Sequence, residues 1–338
     1  MNFGFVDVNE ALPVMWQVAV ERKLTFERQS RNGPVLEFYA PVMIRYRKPR
    51  MRVLFNDARA ANPFFHMFEA LWMLAGHDDV AWISKFLPRM KEYSDNGRTF
   101  HGAYGKRWHK GGALMATIAK LRDDPNTRRA YLPIADPERD VHYTGKDMPC
   151  NVGVAFYVRE GELDMTVFNR SNDMILGSLG ANYVHFGFLQ EFVANMLGVR
   201  VGTYAQISSC LHLYLEQEST KKLLATPPDH SGPTYASLNV MPWNHPLVTS
   251  PATYKQWSGD LYRFIDSYTN GTPPNIREFW FEPFFHHVAA PMYRAWYFRN
   301  DPKVASIHTD AIMAEDWRWA ARQWLNRRSA RLALKGAA

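Results

Sequence analysis

The feature that most restricts the fold is an alternation of apolar and polar residues that begins directly after Cys150. The apolar members stand at every second position on either side of the segment 159–162, and they are Val152, Val154, Phe156, Val158, Leu163, Met165 and Val167. A period of two predicts β-strands with one buried face, and Arg-Glu-Gly-Glu is typical of a tight turn. Residues 151–169 are therefore predicted to form a β-hairpin that other elements must cover.

Periodicity and end signals predict further elements on both sides of this hairpin. Helices are expected over residues 11–24, 63–75, 181–196 and 310–335, and strands over 35–47, 51–56 and 199–208. Asn62 can cap the second helix, and Gly76 and Gly198 suit the ends of the second and third. The segment 226–252 is rich in Pro, Ser, Thr and Asn, which favours a loop.

Composition excludes several classes of protein. The chain has 338 residues, of which 46% are apolar, and this excludes a disordered chain. No apolar run reaches the roughly 18–20 residues that a membrane span needs. Asp7 and Glu10 stand where a signal peptide would be basic. The two cysteines, Cys150 and Cys210, are too few for a disulfide framework, so a reducing compartment and a cytoplasmic protein are expected.

The sequence contains neither an internal repeat nor a long linker. One continuous domain is expected over residues 1–309, with a basic amphipathic helix over residues 310–338 appended to it. A solvated cationic face is the simpler interpretation of that helix. The net charge of +7 indicates an anionic partner, which can be a polymer, a membrane surface or a small phosphate ester.

Cys150 lies at the entry of the predicted hairpin, and Arg170 lies at its exit. Since a hairpin brings its two ends together, the guanidinium of Arg170 is expected close to the thiol. A neighbouring guanidinium lowers the pKa of a thiol and raises its thiolate fraction, as a nucleophile requires. Arg170 with Ser171 would also suit a phosphate. Taken singly, a lone cysteine is usually a small buried apolar residue, and an exposed arginine commonly forms a surface ion pair of little energetic value.

Glu69 stands in the middle of the apolar helix predicted over residues 63–75. A carboxylate in such a helix needs a reason, because burying an unpaired charge is costly. Either Glu69 reaches the surface or an arginine, or it is a buried acid with a raised pKa. The sequence leaves both possibilities open.

His212 and Tyr214 alternate along an extended run and therefore share one face. An imidazole and a hydroxyl placed side by side suit a sugar hydroxyl, although a hydrogen-bonded core pair would give the same pattern. The sequence has no CxxC, no HExxH and no glycine-rich phosphate loop, so no metal site is predicted.

Seven sequence blocks follow one another along the chain: EALWMLAG (69–76), SDNGRTFHGAYGKRW (94–108), DPNTRR (124–129), MPCN (148–151), FNRSNDMILG (168–177), GANY (180–183) and HLY (212–214). In kind and order they resemble the blocks of the thymidylate synthase superfamily, which includes the pyrimidine-nucleotide hydroxymethylases. Each block alone is weak, but seven in order are specific, and the resemblance spans residues 28–214. It implies an α+β fold, in which a large mixed β-sheet packs against helices and the sheets of two subunits stack back to back in a homodimer.

The resemblance also implies roles for residues that contact the nucleotide. Cys150 matches the nucleophile that adds to C6 of the pyrimidine, and Arg170 and Ser171 match a phosphate clamp. Arg128 and Arg129 match a pair of arginines that the other subunit contributes across the dimer interface. These matches imply that each site of the homodimer is shared by both chains.

Four further matches concern the nucleotide. Arg28 or Arg31 should match an additional phosphate-binding arginine. Asn182 matches the residue that reads the pyrimidine edge, and His212 and Tyr214 match the pair on the ribose 3′-hydroxyl. A neutral Asn amide can donate to O4 and accept from N3–H of uracil, which favours dUMP over dCMP.

The remaining matches concern the folate and proton transfer. Glu69 matches the acid that supports proton transfer, and Tyr104 matches a tyrosine that lines the site. Asp173 matches a carboxylate that faces the folate ring. Met90 and Tyr93 fall near the positions of tryptophans that lie against the cofactor in the synthases. The implied co-substrate is 5,10-methylenetetrahydrofolate, and no metal is implied.

Departures from the synthases favour one product over the other. Asn151 stands where synthases have His, and residues 335–338 do not resemble their apolar closing tail. After C5 of the pyrimidine has received the one-carbon unit, transfer of a hydride to that carbon gives a methyl group, whereas addition of water gives a hydroxymethyl group. These departures lie on the side of the site that would contact the folate and water. The sequence therefore favours a dUMP 5-hydroxymethylase, of the kind that makes precursors of the modified DNA of bacteriophages.

Three alternatives stay open at this point. One is a true thymidylate synthase, and another is a dCMP or CMP hydroxymethylase. The third is a non-catalytic nucleic-acid-binding relative that uses the charge of +7 and the arginine-rich C-terminal helix. The expected partners are a second copy of the chain, a nucleotide and a folate, without membrane or nucleic acid.

Overall fold

The predicted hairpin is present and supplies two inner strands of a six-stranded sheet. The computed structural model describes residues 1–269 and 280–336. The two strands of the hairpin, Asn151–Arg159 and Glu162–Asn169, are antiparallel. Glu160 and Gly161 turn the chain with φ angles of 51° and 74°. Positive φ at both central residues fits the twist of the flanking strands, which explains why this turn closes the hairpin.

Ten strands form two sheets. The strands are β1 (Asn2–Phe5), β2 (Thr25–Ser30), β3 (Gly33–Phe38), β4 (Val42–Tyr46), β5 (Tyr131–Pro133), β6 (Asn151–Arg159), β7 (Glu162–Asn169), β8 (Asn172–Asp173), β9 (Arg200–Ser208) and β10 (Leu211–Tyr214). The larger sheet has the order β1-β4-β9-β7-β6-β5, with β1–β4 and β7–β9 parallel, and the smaller has the order β2-β3-β10-β8. The sheets are mixed and pack against helices, so the expected α+β class is confirmed.

Helices cover the inner face of the larger sheet, where Val154, Phe156 and Val167 are fully buried. The helices are α1 (Val8–Val20), α2 (Pro63–Leu74), α3 (Val80–Phe86), α4 (Tyr104–His109), α5 (Ala113–Asp123), α6 (Pro137–Asp140), α7 (Ala181–Leu197), α8 (Glu218–Ala225), α9 (Tyr235–Leu238), α10 (Tyr254–Thr269), α11 (Ala290–Tyr297), α12 (Pro302–Asp310) and α13 (Glu315–Gly336). Helix α7 packs on β7, on β9 and on α2. Helix α7 therefore connects the larger sheet with α2.

The ends of α2 and α7 agree with the signals in the sequence. The Asn62 side chain accepts a hydrogen bond from the Phe65 backbone N–H, which caps α2. Gly76, with φ of 73°, follows the end of α2, and Gly198, with φ of 71°, ends α7. Glycine is suited to both positions because the left-handed region costs it little.

The strand expected over residues 51–56 does not form. Side chains bind the backbone of this segment instead of a neighbouring strand: the Tyr235 hydroxyl accepts from Val53 N–H, and the Asn9 side chain accepts from Phe55 N–H. The strand expected over residues 35–47 is divided into β3 and β4. The helix expected over residues 11–24 is α1, which starts earlier because Asp7 caps its first turn.

The C-terminal helix begins at Glu315 and not at residue 310, because α12 ends at Asp310. Its residues Trp317, Ala320 and Ala321 are buried in the same apolar cluster as α2. Residues 337 and 338 of the predicted helix lie outside the described residues. The division of the chain at residue 309 remains a prediction. In the segment expected to be a loop, residues 226–252, only short helical turns are present.

Candidate active site

The hairpin brings Cys150 and Arg170 together, as predicted. The Arg170 backbone N–H donates to the Cys150 carbonyl at 3.0 Å, which continues the ladder of β6 and β7 by one step. The Arg170 guanidinium donates to the carbonyls of Pro149 and Met148 at 2.9 and 3.0 Å, and its Nη2 lies 3.9 Å from the Cys150 Sγ. Arg170 therefore holds the loop that carries the thiol and also places a positive charge beside the sulfur.

The pKa of the Cys150 thiol is nevertheless raised above its ordinary value. Burial is the largest cause, and Asp147 and Asp173 add to it, whereas Arg170 and Arg31 lower the pKa. Arg170 lowers the thiol pKa, as expected, but burial outweighs this cation 3.9 Å away, so the net shift is upward. The arginines reduce the shift without reversing it.

Tyr104, at the start of α4, lies against the Cys150 loop. Its hydroxyl lies near the backbone of Cys150 and the side chain of Asn151, and burial raises its pKa. Asn151 is fully buried and pairs with Asn169 in the β6–β7 ladder. Tyr104 can therefore position the nucleophile's loop and present a neutral hydroxyl.

Glu69 lies in the wall of a cavity and not at the outer surface. Its Oε2 is 3.1 Å from Nε2 of His185, which projects from α7. The side chains are 14% and 3% exposed, so this carboxylate–imidazole contact is largely shielded from solvent. Of the possibilities left open for Glu69, the surface position and the arginine partner are excluded.

His212 and Tyr214 share a face of β10, and their rings are 4.9 Å apart at nearly a right angle. Burial lowers the pKa of His212 and raises that of Tyr214. Arg28 forms an ion pair with Glu37 at 3.1 Å. Arg31 donates to the Lys146 carbonyl and is close enough to Cys150 to lower its pKa. Of the two arginines, Arg31 is the one beside the thiol.

Asp173 caps the helical turn Met174–Ser178 that follows it. Its Oδ1 accepts from the backbone N–H groups of Ile175 and Leu176 at 2.8 Å, and its Oδ2 accepts from Gln217 at 3.2 Å. Both oxygens of the carboxylate are therefore engaged within the chain. This geometry assigns Asp173 a structural task beside the folate contact that the resemblance implies.

A cavity of about 560 Å³ lies beside these elements, within the range of small-molecule sites. Five of the predicted site residues line it, and they are Glu69, Met90, Tyr93, Tyr104 and Asn182. Cys150 is connected to the cavity through Tyr104 and Asp147. Arg128 and Arg129 are exposed on the turn before β5, and within the described ranges neither side chain forms an ion pair. Ser171 is half-buried next to Arg170.

Several residues of the cavity wall were missed in the sequence, and they are Arg59, His66, Arg89, Asp147, His185, Lys222, Trp324 and Arg331. A spacing signal existed for His185, because it stands three residues after Asn182 on one helix and so shares its face. Asp147 is three residues before Cys150, and burial raises its pKa to about 6. Trp324 and Arg331 come from α13, which the sequence indicated only as a solvated face.

Residues 1–269 and 280–336 contain neither a metal-binding cluster nor a membrane-spanning helix. In this part of the chain, no group of three or more His, Cys, Asp or Glu side chains is arranged to hold a metal ion. None of its helices combines the length and the apolar character needed to cross a bilayer.

Comparison with known proteins agrees with this geometry. A family model described as thymidylate synthase matches residues 56–240. The deoxyuridylate hydroxymethyltransferase of Pseudomonas phage M6 is 39% identical over an alignment of 341 positions, which covers 96% of this chain and 93% of that protein. A protein of the same name from Bacillus phage SP01 is 39% identical over 56% of this chain and 53% of its own length. A putative thymidylate synthase of Methanosarcina barkeri is 31% identical over 40% of this chain and 64% of its own length.

Proposed function

Because the chain belongs to the thymidylate synthase family, we propose that it is a dUMP 5-hydroxymethylase that uses 5,10-methylenetetrahydrofolate. The observation that carries this proposal is its likeness, over 96% of the chain, to a phage protein named deoxyuridylate hydroxymethyltransferase. The pairing of Cys150 with Arg170 beside a cavity supports the same chemistry.

Cys150 is the proposed nucleophile. Addition of its sulfur to C6 of the uracil forms an S–C6 bond and leaves an enolate whose C5 can attack a one-carbon unit. Arg170 and Arg31 flank the thiol and supply positive charge for the nucleotide phosphate. A bound phosphate would interact with part of this positive charge. The hydrogen bonds from the Arg170 guanidinium to the carbonyls of Pro149 and Met148 would then be the main contacts that hold the loop.

Glu69 and His185 are the proposed proton-transfer pair. After C5 has taken up the carbon, its proton must leave, and the folate then departs to give an exocyclic methylene. Addition of water to that methylene, with loss of the Cys150 sulfur from C6, yields the hydroxymethyl group without a hydride. A carboxylate 3.1 Å from an imidazole can hold and deprotonate such a water.

The cavity suits the folate, which supplies the one-carbon unit. Met90, Tyr93 and Trp324 offer apolar and aromatic surface for flat rings. Arg89, Lys222 and Arg331 also line the cavity, with Lys222 paired to Glu218 at 2.6 Å. Cations at the wall are complementary to the glutamate carboxylates of a folate. The residues that line the cavity therefore fit a ligand that combines aromatic rings with anionic groups.

The chain is proposed to act as a homodimer, as is typical of the family. The strand register places five half-buried side chains on the outer face of the larger sheet, and they are Met43, Ala155, Tyr157, Phe168 and Ile207. A second copy stacked on this face would cover it. The exposed Arg128 and Arg129 would then be available to the partner's site.

The proposal is tested by incubating the protein with methylenetetrahydrofolate and dUMP, and measuring the nucleotide mass and the dihydrofolate absorbance. We expect 5-hydroxymethyl-dUMP without dihydrofolate. A methyl product with one dihydrofolate per turnover would show a thymidylate synthase instead, as the Methanosarcina relative is named.

Cys150→Ser provides the matched test of the nucleophile. Its turnover should fall by about 10³-fold or more while dUMP still binds, because the hydroxyl is a much weaker nucleophile than the thiolate. Cys210→Ser is the control for removal of a thiol, since Cys210 lies beside His212 and away from the Arg170 guanidinium. Turnover that survives in Cys150→Ser would remove the nucleophile assignment.

A further inference from the structure

The half-buried side-chain amide of Asn182 is hydrogen-bonded to a chain of two buried amides and one backbone carbonyl. The Asn182 Nδ2 donates to Asn172 Oδ1 at 3.1 Å, and the Asn172 Nδ2 donates to Gln206 Oε1 at 3.1 Å. The Gln206 Nε2 donates to the backbone carbonyl of Ser178 at 2.9 Å. Asn172 and Gln206 are each 1% exposed, so water cannot replace a lost partner.

The carbonyl at the end of the chain decides the orientation of every amide in it. A carbonyl oxygen only accepts, so Gln206 must turn its NH₂ toward Ser178 and its oxygen toward Asn172. Asn172 must then present its NH₂ to Gln206 and its oxygen to Asn182. Asn182 must in turn direct its NH₂ at Asn172, which leaves its Oδ1 for a ligand.

Gly177 makes this arrangement possible. A Cβ at residue 177 would lie 2.5 Å from Asn172 Oδ1 and 3.0 Å from Asn182 Nδ2. Any larger residue would therefore push the two amides apart. Both Gly177 and Asn182 line the cavity, so the locked amide stands at the edge of the ligand's space.

We propose that Asn172 and Gln206 are positioning residues that lock the Asn182 amide in the one orientation that reads uracil and rejects cytosine. This inference rests on the proposed function, in which Asn182 faces the pyrimidine edge of dUMP. It adds two residues of the interior to the specificity of the site, neither of which lines the cavity.

Uracil and cytosine require opposite orientations of the Asn182 side-chain amide. Uracil offers a donor at N3 and an acceptor at O4, whereas cytosine offers an acceptor at N3 and a donor at its 4-amino group. An amide that fits one base fits the other after a 180° flip. A freely rotating Asn182 would thus accept both nucleotides, and discrimination requires that the flip be costly.

The chain makes the flip costly. A flipped Asn182 would set its oxygen against the Asn172 oxygen, so that two acceptors face each other in a buried place. Asn172 cannot respond by turning, because Gln206 and the Ser178 carbonyl hold it. Burial of an unsatisfied polar pair is sufficient to account for about tenfold or greater discrimination.

The experiment compares dUMP and dCMP in wild type and in Asn172→Leu, by calorimetric Kd and by kcat/KM. The variant keeps the side-chain size but frees Asn182 to rotate. We expect the preference for dUMP over dCMP to fall by about tenfold or more. Asn169→Leu is the matched control: it removes a buried amide that also contacts Ser208 but does not contact Asn182, and its preference should equal that of wild type.

If Asn172→Leu does not fold, Gly177→Ala provides a second test. Its methyl group would separate the amides of Asn172 and Asn182 without removing a polar group. The same loss of preference is expected. An unchanged preference in a variant that binds dUMP would overturn the inference, as would a wild type that binds both nucleotides equally. A wild type that binds neither nucleotide would instead overturn the proposed function.

Discussion

Glu69 and His185 place a carboxylate and an imidazole against each other where two largely apolar helices meet. The other buried side chains of α2 and α7 are mostly apolar. A polar pair kept at such a position indicates a chemical task. The neighbouring His66 stays neutral, because burial and the nearby Arg59 and His185 keep its pKa well below the ordinary value.

Substitution of this pair should affect the chemical step more than binding. In Glu69→Gln we expect kcat to fall by about 10²–10⁴-fold, with the Kd for dUMP little changed, because a general base is lost. His185→Asn should lower kcat by less. Rapid-quench measurement of product formation, with calorimetry of dUMP binding, checks both expectations.

A double-mutant cycle shows whether the two residues act as a unit. If they do, Glu69→Gln with His185→Asn should be no slower than Glu69→Gln alone. Rate losses that multiply would mean that the 3.1 Å contact has no part in proton transfer.

Among the elements, α13 has a task that its sequence did not indicate. Its apolar side packs into the common core, and its Trp324 and Arg331 reach the cavity wall. Other arginines of the helix are held elsewhere: Arg327 pairs with Asp57, and Arg322 pairs with Asp310. The helix thus covers the side of the cavity that would receive the folate.

Arg331→Ala should raise the KM for methylenetetrahydrofolate by up to about fivefold, since one partly solvated charge contact is worth at most about 1 kcal/mol. The KM for dUMP should not change. Arg322→Ala is the matched control, because Arg322 lies on the same helix and its side chain is 53% exposed. An equal effect of the two substitutions would show that only the total charge matters.

At the scale of the whole molecule, the shared site is the first question. If Arg128 and Arg129 act in the partner's site, a mixed dimer of Cys150→Ser and Arg129→Ala contains one site with both the thiol and the arginine. Mixing the two inactive variants should therefore restore about a quarter of wild-type activity. Activity that stays at the sum of the separate variants would show that each chain acts alone.

Asp316 links the stability of the whole fold to pH. It is fully buried, accepts from the Tyr235 hydroxyl at 3.1 Å, and burial raises its pKa to about 7. The unfolded chain ionises this carboxyl near pH 4, so stability decreases as the pH rises from about 4 to about 7. Below that window the penalty is absent, and above it the penalty is complete.

Asp316→Asn should remove this penalty. The free energy of unfolding at pH 8 should rise by about 2–4 kcal/mol relative to wild type, with little change at pH 4. Urea titrations at both pH values measure it. Asp310→Asn, at an exposed carboxylate of the preceding helix, should show no such pH dependence. A stabilisation that is equal at both pH values would contradict the linkage.

Local patterns determined the hairpin, α2, α7 and the meeting of Cys150 with Arg170, because alternation, caps and turns act between residues near in sequence. The order of seven blocks led to the family, which the comparisons confirmed. Only the tertiary structure decided that Glu69 faces His185, that side chains bind segment 51–56, and that burial outweighs Arg170 at the thiol. Those outcomes depend on how distant elements pack and exclude water, and no local pattern carries that information.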